Sequence, residues 1–416
     1  MKKILLSAVM APFLLTATLA SANDSFALLS NAKVNGEVRV RYENVDVENS
    51  GKKDADAFTI RATLGLDATL FGVNNLTMKV DGTTVQSIGA EHYNSGSNGI
   101  ITHEIVKDPQ QTRFSQAYLQ YKLNKTAVKV GRQLIMIDNE RFVGAVDWRQ
   151  MMQSFDAVSI NDATIPGLNL FGAYIYSYVT VFDEPTWDSK SIILNGSYKV
   201  NDMIKVTAYD YMISSQKVAY GSAYGSDTYG LALTGDLPVA NAKINYHAEY
   251  AKQGDTSFKT IGSTKQEHDA YYYNLDVLAN ISGILVGAGY EVLSGSNGVD
   301  GKTPFSTPMA TLHKFNGWAD MFLTTPTGGL CDATASFGYT TPAFGKALVV
   351  YHNYETDAAM ASKSDLGTEL DILYTNNIPG VKGLNGLIKA AYYQAGEVSG
   401  FTADTNKFWL QLDYKF

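Results

Sequence analysis

The chain has 416 residues, of which 33 are basic and 41 acidic, for a formal net charge of −8, with 26 tyrosines, six histidines and one cysteine, Cys331. The acidic balance excludes general nucleic-acid binding, which needs a basic face, and a lone cysteine excludes an internal disulfide. After Leu19 no apolar run reaches the roughly twenty residues of a membrane helix, and no low-complexity linker divides the chain.

At the start, Lys2 and Lys3 precede an apolar run from Ile4 to Leu19, interrupted by Pro12 and followed by Ala20, Ser21 and Ala22. Charged, apolar and small segments in that order make a secretory signal peptide, expected to be cleaved before Asn23. The domain expectation is a signal peptide over 1–22 and one outer-membrane β-barrel domain over 23–416.

Beyond the leader the dominant signal is a period of two. In KVNGEVRVRYE, Val34, Gly36, Val38, Val40 and Tyr42 alternate with Asn35, Glu37, Arg39, Arg41 and Glu43. FTIRATLGLDATL and KINYHAEYA repeat the pattern, and the chain closes on KFWLQLDYKF, with Phe408, Leu410, Leu412, Tyr414 and Phe416 on one face. In chain order, strands are expected near 33–48, 57–71, 75–88, 112–123, 126–136, 154–162, 168–179, 189–200 and 203–214. They continue near 226–235, 241–252, 269–281, 282–294, 331–340, 346–355, 366–376, 385–394 and 406–416.

A soluble sandwich also alternates, so the connections decide. They are expected to alternate strictly between long polar stretches such as 89–111 and tight turns such as Val73–Asn75, Leu123–Thr126 and Val200–Asp202. That is the asymmetry of an all-β, antiparallel up-and-down barrel of about eighteen strands in a Gram-negative outer membrane. Sixteen strands result if a short strand is misread. In hydrocarbon every backbone amide must be paired, so 406–416 is expected to zip onto 33–48. Its apolar face then meets outer-membrane lipid, and its terminal aromatic is similar to the signal that delivers such proteins to the barrel-assembly machinery.

Eighteen strands enclose more space than wall side chains fill, so a water-filled lumen is expected. Parity assigns Glu37, Arg39, Arg41, Arg61, Asp67, Lys79, Asp81, Lys129, Lys243, Glu249, Glu291, Glu369 and Asp371 to it. Both signs occur, which suggests a transverse field across the passage.

Two stretches carry more information. GRQLIMIDNERFVGAVDWRQ, Gly131–Gln150, follows the end of a strand with three arginines, two acidic residues and a tryptophan. It resembles the alginate export family of outer-membrane porins, whose members carry a similar Gly-Arg-Gln, Asp-Asn, Arg-Phe and Trp-Arg-Gln pattern. FSTPMATLHKFNGWADMFLTTPTGGLCD, Phe305–Asp332, is similar to a second segment of that family, and LGTELDILY, Leu366–Tyr374, to a third. The resemblance implies a diffusion channel of about eighteen strands whose loops fold inward to narrow it. Arg132, Arg141 and Arg149 are then candidates for a cationic rung beside Asp138 and Glu140, because guanidinium forks suit carboxylates. The other reading is that these arginines pair with neighbouring carboxylates and hold the loops to the wall. The 36-residue connection from Gly295 to Leu330 is long for a structureless loop, which makes His313, Lys314, Asn316, Trp318 and Asp320 candidate constriction residues.

A polyuronate exporter calls for a strongly cationic lumen, whereas this inward set is nearly balanced. The expected function is passive diffusion of small polar or anionic solutes. Dedicated export of an anionic polysaccharide such as alginate is the alternative, with an adhesin or receptor third. His92, His103, His247, His268, His313 and His352 form no nucleophile-elbow or zinc-type spacing. Asp138, Asn139 and Glu140 lack the oxygen spacing of a calcium loop. No catalytic residue, metal or cofactor is expected.

Overall fold

The computed structural model describes residues 28–182, 186–217, 222–256, 267–296, 302–360 and 363–416. The leader expected over 1–22 lies outside the described residues. The wall begins with β1 (Leu29–Val47), β2 (Ala55–Leu70), β3 (Leu76–Ser87), β4 (Gln111–Leu123), β5 (Thr126–Gln133) and β6 (Ser154–Asp162). It continues with β7 (Leu168–Val179), β8 (Trp187–Lys199), β9 (Lys205–Lys217), β10 (Ser222–Val239), β11 (Ala242–Gly254) and β12 (Glu267–Ile281). The last six are β13 (Ile284–Ser294), β14 (Gly329–Thr341), β15 (Gly345–Met360), β16 (Lys363–Asn377), β17 (Leu384–Ala395) and β18 (Thr405–Lys415). Each strand pairs antiparallel with the next, and β18 pairs with β1, giving the closed 18-strand barrel. A two-residue parallel pairing of Lys302–Thr303 with Glu267–His268 lies outside this count.

Closure runs from Glu37 opposite Lys415 to Val47 opposite Thr405. It is completed by Phe416, whose amide and carbonyl each bond Gly36 at 3.0 Å. The closing strand places Phe408, Leu410, Leu412, Tyr414 and Phe416 outside, and buries Lys407, Trp409 and Gln411 inside. Exposed aromatics form two belts. Tyr121, Tyr198, Tyr339, Tyr374 and Tyr414 lie toward the short turns, and Tyr174, Tyr229, Tyr290 and Tyr392 toward the other end. Such girdles mark the two membrane interfaces.

Two details differ from the alternation pattern. Long connections alternate with tight ones, except that only 218–221 separate β9 from β10 and only 361–362 separate β15 from β16. There the wall strands themselves extend, and β10 runs for 18 residues. The expected strand at 126–136 ends at Gln133, because the chain leaves the wall and carries Ile135 and Ile137 into a buried cluster.

In the lumen, residues 134–153 and 305–328 fold inward and narrow its middle, as the resemblance implies. Phe142 sits among Tyr209, Tyr211, Tyr272 and Phe305, with ring centroids 5.3–6.0 Å away. The loops also bond each other, Gly144 N to Met309 O at 2.9 Å and Thr311 N to Glu140 O at 3.1 Å.

At the seam, a Cβ on Gly36 would lie 2.3 Å from Cζ of Phe416, so the terminal ring covers a position only glycine leaves open. Gly36→Val is expected to push the exposed Phe416 ring off the seam at a cost of up to about 1 kcal/mol to the folded barrel. The urea midpoint of the heat-modifiable folded band measures this, and the cost should vanish in a Phe416→Ala background.

Candidate functional site

The first inward loop is held by arginines on β1 and β2. Arg39 bonds Asp413 through Nε at 2.7 Å and the carbonyl of Asp147 through Nη1 at 2.8 Å. Arg41 donates to the carbonyl of Trp148 at 2.5 Å and to Gln411 Oε1 at 2.8 Å, with its guanidinium 4.2 Å from the Trp148 ring. Arg61 reaches the carbonyl of Arg149 at 3.3 Å and pairs with Glu37. Three successive loop carbonyls thus find donors that an isolated turn lacks, and charged forks make those bonds strong. Arg149 itself is fully engaged, with Glu43 at 3.1 Å and Asp320 at 2.9 Å.

Carboxylates on β13 to β16 hold the second loop. Glu291 takes Arg141 at 2.9 Å and the Asn316 amide at 2.6 Å. Glu369 accepts from the backbone amide of Ala319 at 2.7 Å, and Asp371 from that of Trp318 at 3.1 Å. His352 lies between Asp332, at 3.0 Å, and Asp371, at 3.6 Å. Glu140 joins the loops by bonding Thr311 Oγ1 at 2.6 Å and pairing with Lys314. The turn at Asn316–Gly317 runs through φ of 55° and 83°, and a Cβ on Gly317 would fall 2.3 Å from Glu369 Oε2, so glycine permits that approach.

The expected rung of three arginines is not formed. Arg132 lies within β5 on the row of Val128 and Val130, which faces outward, and there it makes a two-pronged pair with Asp156 at 2.8 Å, joined by Ser177. Because β5 runs one residue past Arg132, strand parity governs it, and a loop position does not. Lys129 does face inward, its ammonium 4.8 Å from the Tyr118 ring. Asp138 bonds Asn195 at 2.7 Å, away from Arg141 and Arg149, and burial raises its carboxyl. Glu249 takes Tyr209 at 2.7 Å and His247 at 2.9 Å.

A residue missing from the sequence-derived set stands at the centre. Lys389 on β17 is buried, and its ammonium lies 4.2 Å from the Trp148 ring, 3.8 Å from Trp318 and 5.4 Å from Trp409. It is also 2.7 Å from His313 Nε2. An ammonium can only donate, so His313 carries its proton on Nδ1 and gives it to Asp320 at 2.6 Å. The His313 ring stacks on Trp148 at 4.4 Å and 9°. The signal was a lone lysine among apolar inward neighbours in LNGLIKAAYYQA. Beneath this cluster, toward the short turns, a cavity of about 600 Å³ is lined by Arg39, Trp148, Lys314, Trp318, Lys389, Gln411 and Asp413 among others.

Two measurements probe this site. Arg149→Ala strands Glu43 without its cation and leaves Asp320 to Lys407 and His313, and loss of one partner of a buried pair costs about 3–5 kcal/mol. The expected result is a folded barrel with a lower urea midpoint and noisier single-channel current. Burial holds the His313 imidazole well below its ordinary range, with Asp320 opposing and Lys389 adding to the shift. The unfolded chain binds that proton near pH 6.5, so the folded state is increasingly disfavoured as pH falls below about 6.5 and unaffected by this group above it. Asp320 is held well below the usual carboxylate range; burial opposes this, and His313, Lys407 and Arg149 outweigh it. Its stabilisation is therefore lost only at still lower pH. Between about pH 7 and 5 the thermal midpoint should fall more in the wild type than in His313→Gln, because only the wild type carries the depressed imidazole.

With that geometry established, comparison places the chain. A family model described as alginate export matches residues 30–292, more than half of the chain and including the Gly131–Gln150 stretch. The match ends before the Phe305–Asp332 segment. No curated protein sequence matches. Among solved structures, Pseudomonas aeruginosa OccK9 (OpdG) is similar with a TM-score of 0.71 at 16% identity, covering 94% of this chain and 99% of its own. Acinetobacter baumannii OccAB4 gives 0.70 at 13%, covering 95% and 100%. Pseudomonas aeruginosa OpdK with vanillate gives 0.70 at 13%, covering 94% and 99%. These likenesses concern the fold, and the family match over residues 30–292 shows that the chain belongs to the alginate export family.

Proposed function

We propose that this chain is an outer-membrane channel for passive diffusion of small polar or anionic solutes. The observation that carries the reading is a closed barrel narrowed by two loops that wall charges dock, above a cavity of about 600 Å³. A solute in that cavity meets Lys389 beside Trp148 and Trp318, with Arg39 held by Asp413 and Lys314 by Glu140 at its edge. This suits a small, flat carboxylate, and one fold neighbour was crystallised with such a molecule, vanillate. His313, Asn316 and Asp320 shape the constriction from the loop side.

Both signs of charge are interleaved in the lumen. Arg39, Arg41, Arg61, Lys389 and Lys407 face inward on β17, β18, β1 and β2 together with Glu37, Glu43 and Asp413, and β11 to β16 add Glu249, Glu291, Asp332, Glu369 and Asp371. Interleaved signs leave no continuous cationic track. A polyuronate needs unpaired cations along its length, but Arg39, Arg141 and Arg149 are all bound to carboxylates. Alginate export is therefore disfavoured as this chain's own activity. Assembly through the β18 strand by the barrel-assembly machinery belongs to the same proposal. His247 and His352 are held by Glu249 and Asp332, and no catalytic role is assigned to them.

In planar bilayers the purified barrel is expected to give stepwise, ohmic conductance that small carboxylates reduce and alginate oligomers leave unchanged. An inserted barrel without conductance would favour the receptor or adhesin reading, and block by alginate oligomers would favour export.

A further inference from the structure

We propose that Trp148, Trp318 and Trp409 form a binding box for a primary alkylammonium, filled at rest by the tethered ammonium of Lys389, and that this occupancy latches both inward loops to the wall. Three of the four tryptophans in the chain converge on this one cation. Each arrives from a different segment: Trp148 from the loop over 134–153, Trp318 from the connection over 295–328, and Trp409 from β18. Lys389 arrives from a fourth, β17. The ring faces carry the negative side of the aromatic quadrupole, which is what an ammonium seeks when water is excluded.

Two features distinguish this contact from ordinary packing. Among the described residues Lys389 makes no salt bridge, whereas Lys407 on the neighbouring strand reaches Asp320 at 3.1 Å. The aromatic faces and His313 Nε2 are thus its direct contacts, while the carboxylates of Asp371, Asp320 and Glu369 act on it from farther away and Arg41 shares the Trp148 ring. The box also opens on the lower cavity, which Trp148, His313, Trp318 and Lys389 all line. A small cationic amine entering from the short-turn side thus has access to the rings that Lys389 occupies, and its arrival would release the latch.

The latch acts on conductance and so rests on the channel reading, but the box also has a readout of its own. Lys389→Ala removes the atoms of one n-propylammonium. In planar bilayers this variant is expected to conduct severalfold more than the wild type, and n-propylammonium on the short-turn side should restore the wild-type level. Propanol and propionate, which match its size and lack its charge, should not. In detergent, n-propylammonium should change the tryptophan emission of folded Lys389→Ala in a saturable way. Lys389→Met keeps the packing without the charge, and should conduct like Lys389→Ala while ignoring n-propylammonium; it carries the test if the alanine variant does not fold. Wild-type conductance in either variant, or emission from Lys389→Ala indifferent to n-propylammonium, would overturn the proposal. A silent wild type with a responsive emission in Lys389→Ala would instead reject the channel reading and leave the box standing.

Discussion

A chain segment inside a membrane barrel must find partners for its backbone polar groups, and the rest of this structure depends on how the inward loops do so. Away from the wall ladder, a loop carbonyl or amide has neither strand nor bulk water to bond, and each one left bare is costly. Here the wall supplies the partners as charged side chains. Arg39, Arg41 and Arg61 take the carbonyls of Asp147, Trp148 and Arg149, while Glu369 and Asp371 take the amides of Ala319 and Trp318. The lumen charges are anchors first. Any selectivity they impart comes from what remains after that bonding.

The outer surface obeys the same rule differently. Each wall strand satisfies its neighbours, and the seam between β1 and β18 removes the last free edge. Phe416 ends the chain bonded through amide and carbonyl to Gly36, with its ring over the glycine. Closure keeps the cylinder from opening at its seam, and the docked loops keep it from being an empty tube. Function follows from both, because a solute passes only through what the loops leave free.

Alternation and the two kinds of connection made the barrel, its closure and its strand number legible, since parity and amide pairing are local to the chain. Parity also placed Glu249, Glu291, Glu369 and Asp371 inside. What could not be read was partnership. Glu43 lies 106 positions before Arg149, and Asp320 lies 171 after it, so no spacing reveals that they share one guanidinium. Arg132 was misassigned because the strand end was placed beyond it without applying the outward parity that its neighbours Val128 and Val130 show. Lys389 escaped notice because a single lysine in an apolar row gains meaning only when three distant tryptophans meet over it.

Backbone hydrogen exchange on the detergent-solubilised barrel, followed at Trp318 and Ala319, tests the anchoring account most directly. Docked loops predict protection approaching that of β16, lost from both amides in Glu369→Ala with Asp371→Ala while the wall strands remain protected. Exchange of those two amides at the rate of an unstructured loop in the unaltered protein would contradict it.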